Sequence, residues 1–215
     1  HLTEFWMVEP EMAFCDLEQN MDWAEKHVEY VVGHCLEHCR NELETLERDI
    51  KKLENITLPF PRITYDDAVE ILKNNNVDFE YGSDFGATDE TIISNQYQKP
   101  VMVHRWPAES KAFYMKRDPK NLNLALGVDM IAPEGYGEIV GGGQREDDYE
   151  VLLNRIKEHN LPIEHFKWYL DLRKFGSVPH SGFGLGIERT VAWISGTKHI
   201  RETIPYPRTM YRLEP

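Results

Sequence analysis

Four strand-like stretches follow one another in the middle of the chain, at 100–105, 112–116, 122–131 and 138–143, and no helical pattern separates any two of them. Gly and Pro turns punctuate several of the junctions. Close-spaced strands without a crossover helix favour an antiparallel sheet. The helical patterns on either side must then lie against it, so the fold class is α+β, an antiparallel sheet flanked by helices.

The helical patterns are of uneven strength. From 16 to 53, Val28, Val31, Val32, Cys35, Leu36, Cys39, Leu43, Leu46, Ile50 and Leu53 recur at three- and four-residue steps, with Glu and Lys on the other faces. One long helix is predicted there, ended by Leu58-Pro59-Phe60-Pro61. Thr64 reads as the N-cap of a short helix at 66–74, with Asp67 placed to complete the cap. A loop rich in Gly, Asp and Thr is predicted at 81–91. Two further helices are expected at 147–159 and 163–175, and a Gly-rich entry leads into a last helix at 184–195. Residues 2–14 mix acidic and large apolar residues and read as a strand, with Pro10 limiting its pairing.

Composition narrows the function classes. With 41% apolar residues, five Trp, ten Tyr and nine Phe, the chain of 215 residues is too apolar for disorder. No uncharged apolar run approaches the roughly 20 residues of a membrane span. A formal charge of −13 argues against a generic DNA-coating surface, though not against a local basic groove. Three Cys make no disulfide scaffold and suit a reducing compartment. The chain opens His1-Leu2-Thr3 without an initiator Met or a signal segment, and it reads as a piece of a longer protein.

Three segments could carry chemistry. Asp129 and Glu138 lie on successive strand candidates joined by a short Pro/Gly turn, so their carboxylates could converge as a hard oxygen pair for Mg2+. Gly141-Gly142-Gly143 permits close backbone approach to a ligand, and Arg145 offers a planar fork. A glycine-rich turn with surface charges is the other reading. In His180-Ser181-Gly182-Phe183-Gly184-Leu185-Gly186-Ile187-Glu188-Arg189, a Gly-rich helix entry offers free N–H groups to an anion, with Arg189 in the first turn. It fits neither a Walker loop nor a dinucleotide fingerprint, and small residues needed for close packing explain it equally. Glu4, Glu9 and Glu11 flank Phe5 and Trp6, a set suited to an adenine ring and an ammonium or amide group; an amphipathic strand is the alternative. His34, Cys35, His38 and Cys39 have helical metal-ligand spacing, but the Cys pair coincides with the apolar face.

Together, and in this order, these segments resemble a class II aminoacyl-tRNA synthetase of the aspartyl/asparaginyl/lysyl subgroup. HLTEFWMVEPEMAF looks like the end of the motif 2 loop and its second strand. GEIVGGGQRE looks like the strand of metal and amino-acid ligands, and PHSGFGLGIERTVAWISG with IRETIPYPR looks like motif 3 and its tail. The resemblance makes residues 1–215 a partial catalytic domain, from the second strand of motif 2 through motif 3. Its closest form is the asparaginyl branch, of bacterial or organellar type. Glu9 in MVEPE is the deciding residue, since the aspartyl branch carries Asp there.

The resemblance implies ATP-dependent activation of asparagine and its transfer to tRNA(Asn), with ATP and Mg2+ as cofactors. Arg189, Glu138 and Arg145 would be the catalytic residues. His1 would approach the β- and γ-phosphates, Phe5 would stack on adenine, Gly184 and Gly186 would leave room for the nucleotide, and Arg189 would clamp the γ-phosphate. Asp129 and Glu138 would hold Mg2+ and ATP. Glu9 would accept from the asparagine amide and Arg145 would donate to its carbonyl oxygen, one acceptor and one donor for a neutral group. A homodimer in the intact enzyme, no membrane, and a cytoplasmic or else organellar setting are further implications. Motif 1, the motif 2 Arg and the anticodon-binding barrel would lie upstream, so this segment alone is expected to be inactive. The alternatives are an archaeal-type aspartyl enzyme and a non-catalytic, synthetase-derived binding module.

Overall fold

A computed structural model describes residues 2–214. The chain starts with two short strands, β1 (Met7–Val8) and β2 (Glu11–Ala13), separated at Pro10. Helices α1 (Leu17–His38), α2 (Arg40–Thr45) and α3 (Ile50–Glu54) follow, then β3 (Arg62–Thr64), α4 (Tyr65–Asn74) and α5 (Ala87–Ser94). The centre of the sheet is β4 (Val101–Pro107), β5 (Arg117–Asp118), β6 (Asn121–Ala132) and β7 (Gly137–Gln144). Helices α6 (Tyr149–Glu158) and α7 (Ile163–Lys174) lead to the last strand, β8 (His180–Gly186), and to α8 (Ile187–Ser195).

Among the described residues one eight-stranded sheet runs in the order β1-β8-β7-β6-β4-β3, with β2 also on β8 and β5 on β6. Every pairing is antiparallel except β3 with β4, which are joined through α4 and α5 and lie parallel. The predicted α+β sheet is therefore present, with that one parallel edge as a difference. No helix is long and apolar enough to cross a membrane among the described residues.

Helix α1 carries the main core. Asp16 accepts from the Gln19 N–H and Gln19 Oε1 from the Asp16 N–H, a reciprocal cap. Leu17, Met21, Ala24, Val28 and Val32 form one buried stripe at helical spacing. They pack on Val128, Met130, Val140, Phe183 and Leu185, the residues of β6–β8 that point to one side of the sheet. Each such side chain contributes roughly 1.5–3 kcal/mol when fully buried. On the other side, α4 and α5 bury Tyr65, Leu72, Ile93, Val101, Val103, Trp106 and Ile131.

Several sequence expectations are corrected. The helix expected over 16–53 is three helices: the backbone leaves the helical conformation at Cys39 (φ −123°, ψ 25°), between α1 and α2, and turns left-handed at Glu47 (φ 56°), between α2 and α3. The Glu47 N–H bonds the Glu44 carbonyl and the Arg48 N–H the Leu43 carbonyl, a terminal pair that satisfies orphan carbonyls and reverses the chain. Leu46 is consequently exposed, whereas Leu43 and Leu53 are buried. The loop expected at 81–91 gives way at Ala87 to α5, and residues 112–116 form no strand beyond a single bridge from Met115 to Arg145. The Gly-rich segment before α8 is the strand β8, so its amides bond neighbouring strands rather than an anion. Thr64 caps α4 with Asp67 as expected.

Gly143 sits where β7 passes β6 with φ 155°, and a Cβ there would stand 2.9 Å from Gly127 Cα and within contact of the Leu126 carbonyl. Both obstacles are backbone. Gly143→Ala is therefore expected to destabilise the fold by about 3 kcal/mol. Urea denaturation tests this, and an unchanged midpoint would show that the register adjusts at little cost.

Candidate active site

Sheet geometry assembles the site from residues far apart in sequence. Gly127 pairs with Gly143, Gly143 with Gly182, Asp129 with Gly141 and Gly141 with Gly184. Partners directly opposite share a face, so five glycines make a backbone floor on the side away from α1. The alternate positions Val128, Val140, Phe183 and Leu185 fill the core. The period-2 pattern thus separates packing from binding within the same strands.

Acidic groups mark one end of the floor. A Cβ on Gly141 would lie 2.5 Å from Glu138 Oε1 and 3.6 Å from Asp129 Oδ1, so both carboxylates converge over that glycine. Burial pushes the Asp129 carboxyl up even though Lys111 lies beside it. Burial first, and then the charge of Asp129, push Glu138 up to about 7. Lys111 Nζ donates to Asp129 Oδ2 at 2.5 Å and lies 3.8 Å from the centre of the Trp106 ring. Glu90 on α5 accepts from the Glu138 N–H at 3.3 Å, and its own carboxyl is raised by burial. Arg189, in the first turn of α8, donates to the Glu138 carbonyl at 2.5 Å.

Two crowded carboxylates, Asp129 buried and Glu138 half-buried, held above their ordinary range, favour a cation beside them. Among the described residues no group of three or more His, Cys, Asp or Glu is set to hold a metal unaided. Asp129 and Glu138 therefore fit Mg2+ that arrives with phosphate oxygens completing its shell, the usual arrangement for that ion. His34, His38, Cys35 and Cys39 are elsewhere, on α1 and its C-cap, and Cys35 packs against the core.

A different chemistry occupies the opposite end. Arg145 Nε and Nη2 donate to the two oxygens of Glu11 at 3.0 and 3.2 Å. The guanidinium also lies 5.7 Å from the centre of the Tyr114 ring. A Cβ on Gly182 would run into the Glu11 carboxylate, so the glycine is what admits the pair. Next door, the Glu146 carboxylate is buried and accepts from Arg155 at 2.9 Å, and the Glu146 carbonyl accepts from Arg173 Nε at 3.0 Å. These bonds fix α6 and α7 to the strand that presents Arg145. A cavity of about 400 Å3 opens there between Glu11, Tyr114, Arg145, Tyr169, Arg173 and His180.

Toward β1 and α8, a cleft of about 310 Å3 is lined by Phe5, Met7, Glu138, Gly184, Gly186 and Arg189. Phe5 is exposed there. The buried Glu188 carboxylate accepts twice from the Trp6 N–H, at 2.9 and 3.0 Å, which fixes the backbone beside Phe5. Gly186 has open space where a side chain would project, whereas the space above Gly184 is taken by the Met7 methyl group. Both glycines line this cleft, Gly186 with open space beside it and Gly184 packed under Met7.

The fold brings Phe5, Asp129, Glu138, Gly184, Gly186 and Arg189 to one end of this face and Arg145 to the other. Glu9 is exposed, with its Cγ 3.8 Å from where a Gly184 Cβ would be, between the two ends. His1 lies outside the described residues. Arg145 is paired with Glu11. Glu11, Glu90 and Lys111 join the site without having been singled out as ligands. Glu11 carried a weak signal in its place beside the aromatics, whereas Glu90 fell in a predicted loop and Lys111 just before a predicted strand.

A family model described as tRNA synthetases class II (D, K and N) matches residues 1–210. The chain is 60% identical to an asparagine–tRNA ligase of Desulforamulus reducens over 215 residues, which is 100% of this chain and 50% of that protein. It is similar to the crystal structure of asparaginyl-tRNA synthetase from Pyrococcus horikoshii complexed with asparaginyl-adenylate, with TM-score 0.97 and 50% identity over 100% of this chain and 50% of that one. The aspartyl-tRNA synthetase from Entamoeba histolytica is more distant, with TM-score 0.88 and 27% identity over 100% of this chain and 45% of that one. The chain spans about half the length of the curated relatives it matches. With a polar, glycine-floored sheet face of this construction and a family match over nearly its whole length, the chain belongs to the class II tRNA synthetases of the D, K and N group.

Proposed function

We propose that the protein containing this chain activates asparagine with ATP and transfers it to tRNA(Asn), and that this chain is part of its catalytic domain, from the second strand of motif 2 through motif 3. The observation that carries the reading is one glycine-floored face with a carboxylate and arginine end beside an aromatic, and a donor–acceptor end built on Arg145. An asparaginyl rather than aspartyl substrate is supported by Glu9, whose carboxylate favours an amide N–H and repels a second carboxylate.

In the first step an asparagine carboxylate oxygen bonds to the α-phosphorus of ATP, and the bond to pyrophosphate breaks. Phe5 stacks on the adenine, and Arg189 offsets charge on the leaving phosphates. Mg2+ held by Asp129 and Glu138 supplies further charge neutralisation on phosphate oxygens when bound. Arg145 donates to the amide oxygen and Glu9 accepts from the amide nitrogen, while Glu11 holds the Arg145 fork in its plane. In the second step the aminoacyl group passes to a hydroxyl at the 3′ end of tRNA(Asn) and AMP leaves. No side-chain nucleophile is needed. A cytoplasmic homodimer is the setting this reading implies.

Pyrophosphate exchange by the full-length protein tests it. Asparagine is expected to drive exchange at least about 100-fold better than aspartate in kcat/KM, and Glu9→Gln to reduce that ratio about tenfold or more. Exchange driven only by aspartate would overturn the asparaginyl reading, and ligand binding without exchange would make the protein a binding module.

A further inference from the structure

Arg48 stands in the turn between α2 and α3, outside the ligand face, yet its side chain is only 5% exposed. Its Nη1 and Nη2 donate to the two carboxylate oxygens of Glu134 at 3.0 and 2.6 Å, and its Nε donates to the Ile194 carbonyl at 3.1 Å. All three guanidinium nitrogens are therefore engaged, at two separate places. Glu134 is at the tip of the hairpin whose strands carry Asp129 and Glu138. Ile194 is in the last turn of α8, the helix that carries Arg189. Lys52 Nζ adds a further bond to Glu134 at 2.8 Å.

The backbone around this contact is held in unusual shapes. Glu47, next to Arg48, has φ 56°, and Glu134 has φ 66°. Two non-glycine residues in the left-handed region on either side of one ion pair indicate a geometry imposed by the surroundings. Gly196 closes α8 with φ 76°, and a Cβ there would stand 3.0 Å from Arg48 Cδ, so the helix end is shaped to admit the arginine. Gly135 and Tyr136, directly after Glu134, line a cavity of about 410 Å3 together with Phe5 and Arg189.

We propose that Arg48 is a positioning residue for the nucleotide end of the site. By tying the β6–β7 hairpin tip to the end of α8, it sets the spacing between Glu138 and Arg189 from behind the ligand face. The inference rests on the nucleotide-binding part of the proposed function and touches neither the amino-acid end nor the reacting atoms. It also gives the helical segment after β2 a role in ligand binding beyond its packing.

The test uses the full-length protein with Arg48→Met, Arg48→Lys and Glu134→Gln. MgATP binding is measured by calorimetry without amino acid, and KM for ATP and for asparagine by pyrophosphate exchange. Arg48→Met is expected to weaken MgATP binding and raise KM for ATP about tenfold, since small misplacements of binding groups are costly. KM for asparagine should stay within about twofold, because the amino-acid end is built on other elements. Glu134→Gln should shift the same quantities in the same direction, Arg48→Lys should recover part of the loss, and the double variant should be no worse than Arg48→Met alone. A fall in melting temperature with unchanged ATP binding would make Arg48 merely structural and overturn the proposal, as would an equal rise in both KM values. Should Arg48→Met fail to fold, the near-isosteric Glu134→Gln decides on the same readouts. Wild-type protein that binds MgATP but shows no asparagine-dependent exchange would defeat the proposed function, while the calorimetric comparison would still decide the role of Arg48.

Discussion

Arg145→Met is expected to lower kcat/KM for asparagine in pyrophosphate exchange by about 100- to 1000-fold, with KM for ATP little changed. The guanidinium is bidentate to Glu11 and only 16% exposed, so its loss removes a directed donor and leaves a carboxylate without its partner. Because Glu11 is 47% exposed, its charge stays solvated and the stability cost is about 1 kcal/mol or less, so the loss falls on the directed donor. Arg145→Lys should rescue little, because an ammonium is a point charge and cannot serve Glu11 and an amide oxygen with one planar fork. Near-wild-type exchange in Arg145→Met would mean that the amide is read elsewhere. A compensating Glu11→Gln in the Arg145→Met background should recover part of any lost stability without recovering activity.

Glu138→Gln is expected to make the metal-free protein more stable and the enzyme about 100-fold or more slower. The stability effect follows from the sign of the shift. Burial and Asp129 raise the Glu138 carboxyl from 4.5 to about 7 in the folded protein. The folded state therefore binds this proton more tightly than the unfolded chain does, and stability is lost as pH rises between those two values. Ionisation of Glu138 above pH 7 then costs on the order of 3 kcal/mol, which a glutamine does not incur. Melting curves in EDTA at pH 5 and pH 8 measure this: the advantage of Glu138→Gln should be small at pH 5 and large at pH 8. Parallel pH profiles for the two proteins would show that Glu138 ionises without penalty. The activity loss has the opposite origin: under the proposed function the ionised carboxylate would hold the Mg2+ that offsets phosphate charge, and a glutamine would hold it less well.

Local signals served the fold well where they were complete within one turn or one strand pair. The Thr64–Asp67 cap and the buried positions Val28 and Val32 follow from hydrogen-bond capacity and from a period of 3.6 residues. The central strands β4, β6 and β7 were visible because Gly and Pro bound them. The same reasoning merged α1, α2 and α3, because the apolar period continues across Cys39 and Glu47 while the backbone leaves the helical conformation at both. It also read β8 as a helix entry: glycines that serve sheet pairing and glycines that admit an anion look alike in one dimension. Helix α5 carried a short, weakly amphipathic pattern, which left Glu90 in a loop.

By itself, the sequence determined the α+β class, most of the helices that cover the sheet, and three segments that supply candidate site residues. Those properties are local, set by side-chain periodicity, cap chemistry and the order of motifs. Only the tertiary structure decided which groups meet. Glu11 and Arg145 are 134 positions apart and are joined through the register of β2, β8 and β7. Lys111 reaches Asp129, Glu90 reaches Glu138, and Arg48 ties the hairpin tip to α8 across gaps that no sequence window spans. A one-residue slip in any of those strands would turn each side chain to the other face. The candidate segments are thus written in the chain, while the partnerships of their side chains, and the charge balance that follows from them, exist only once the sheet has fixed its register.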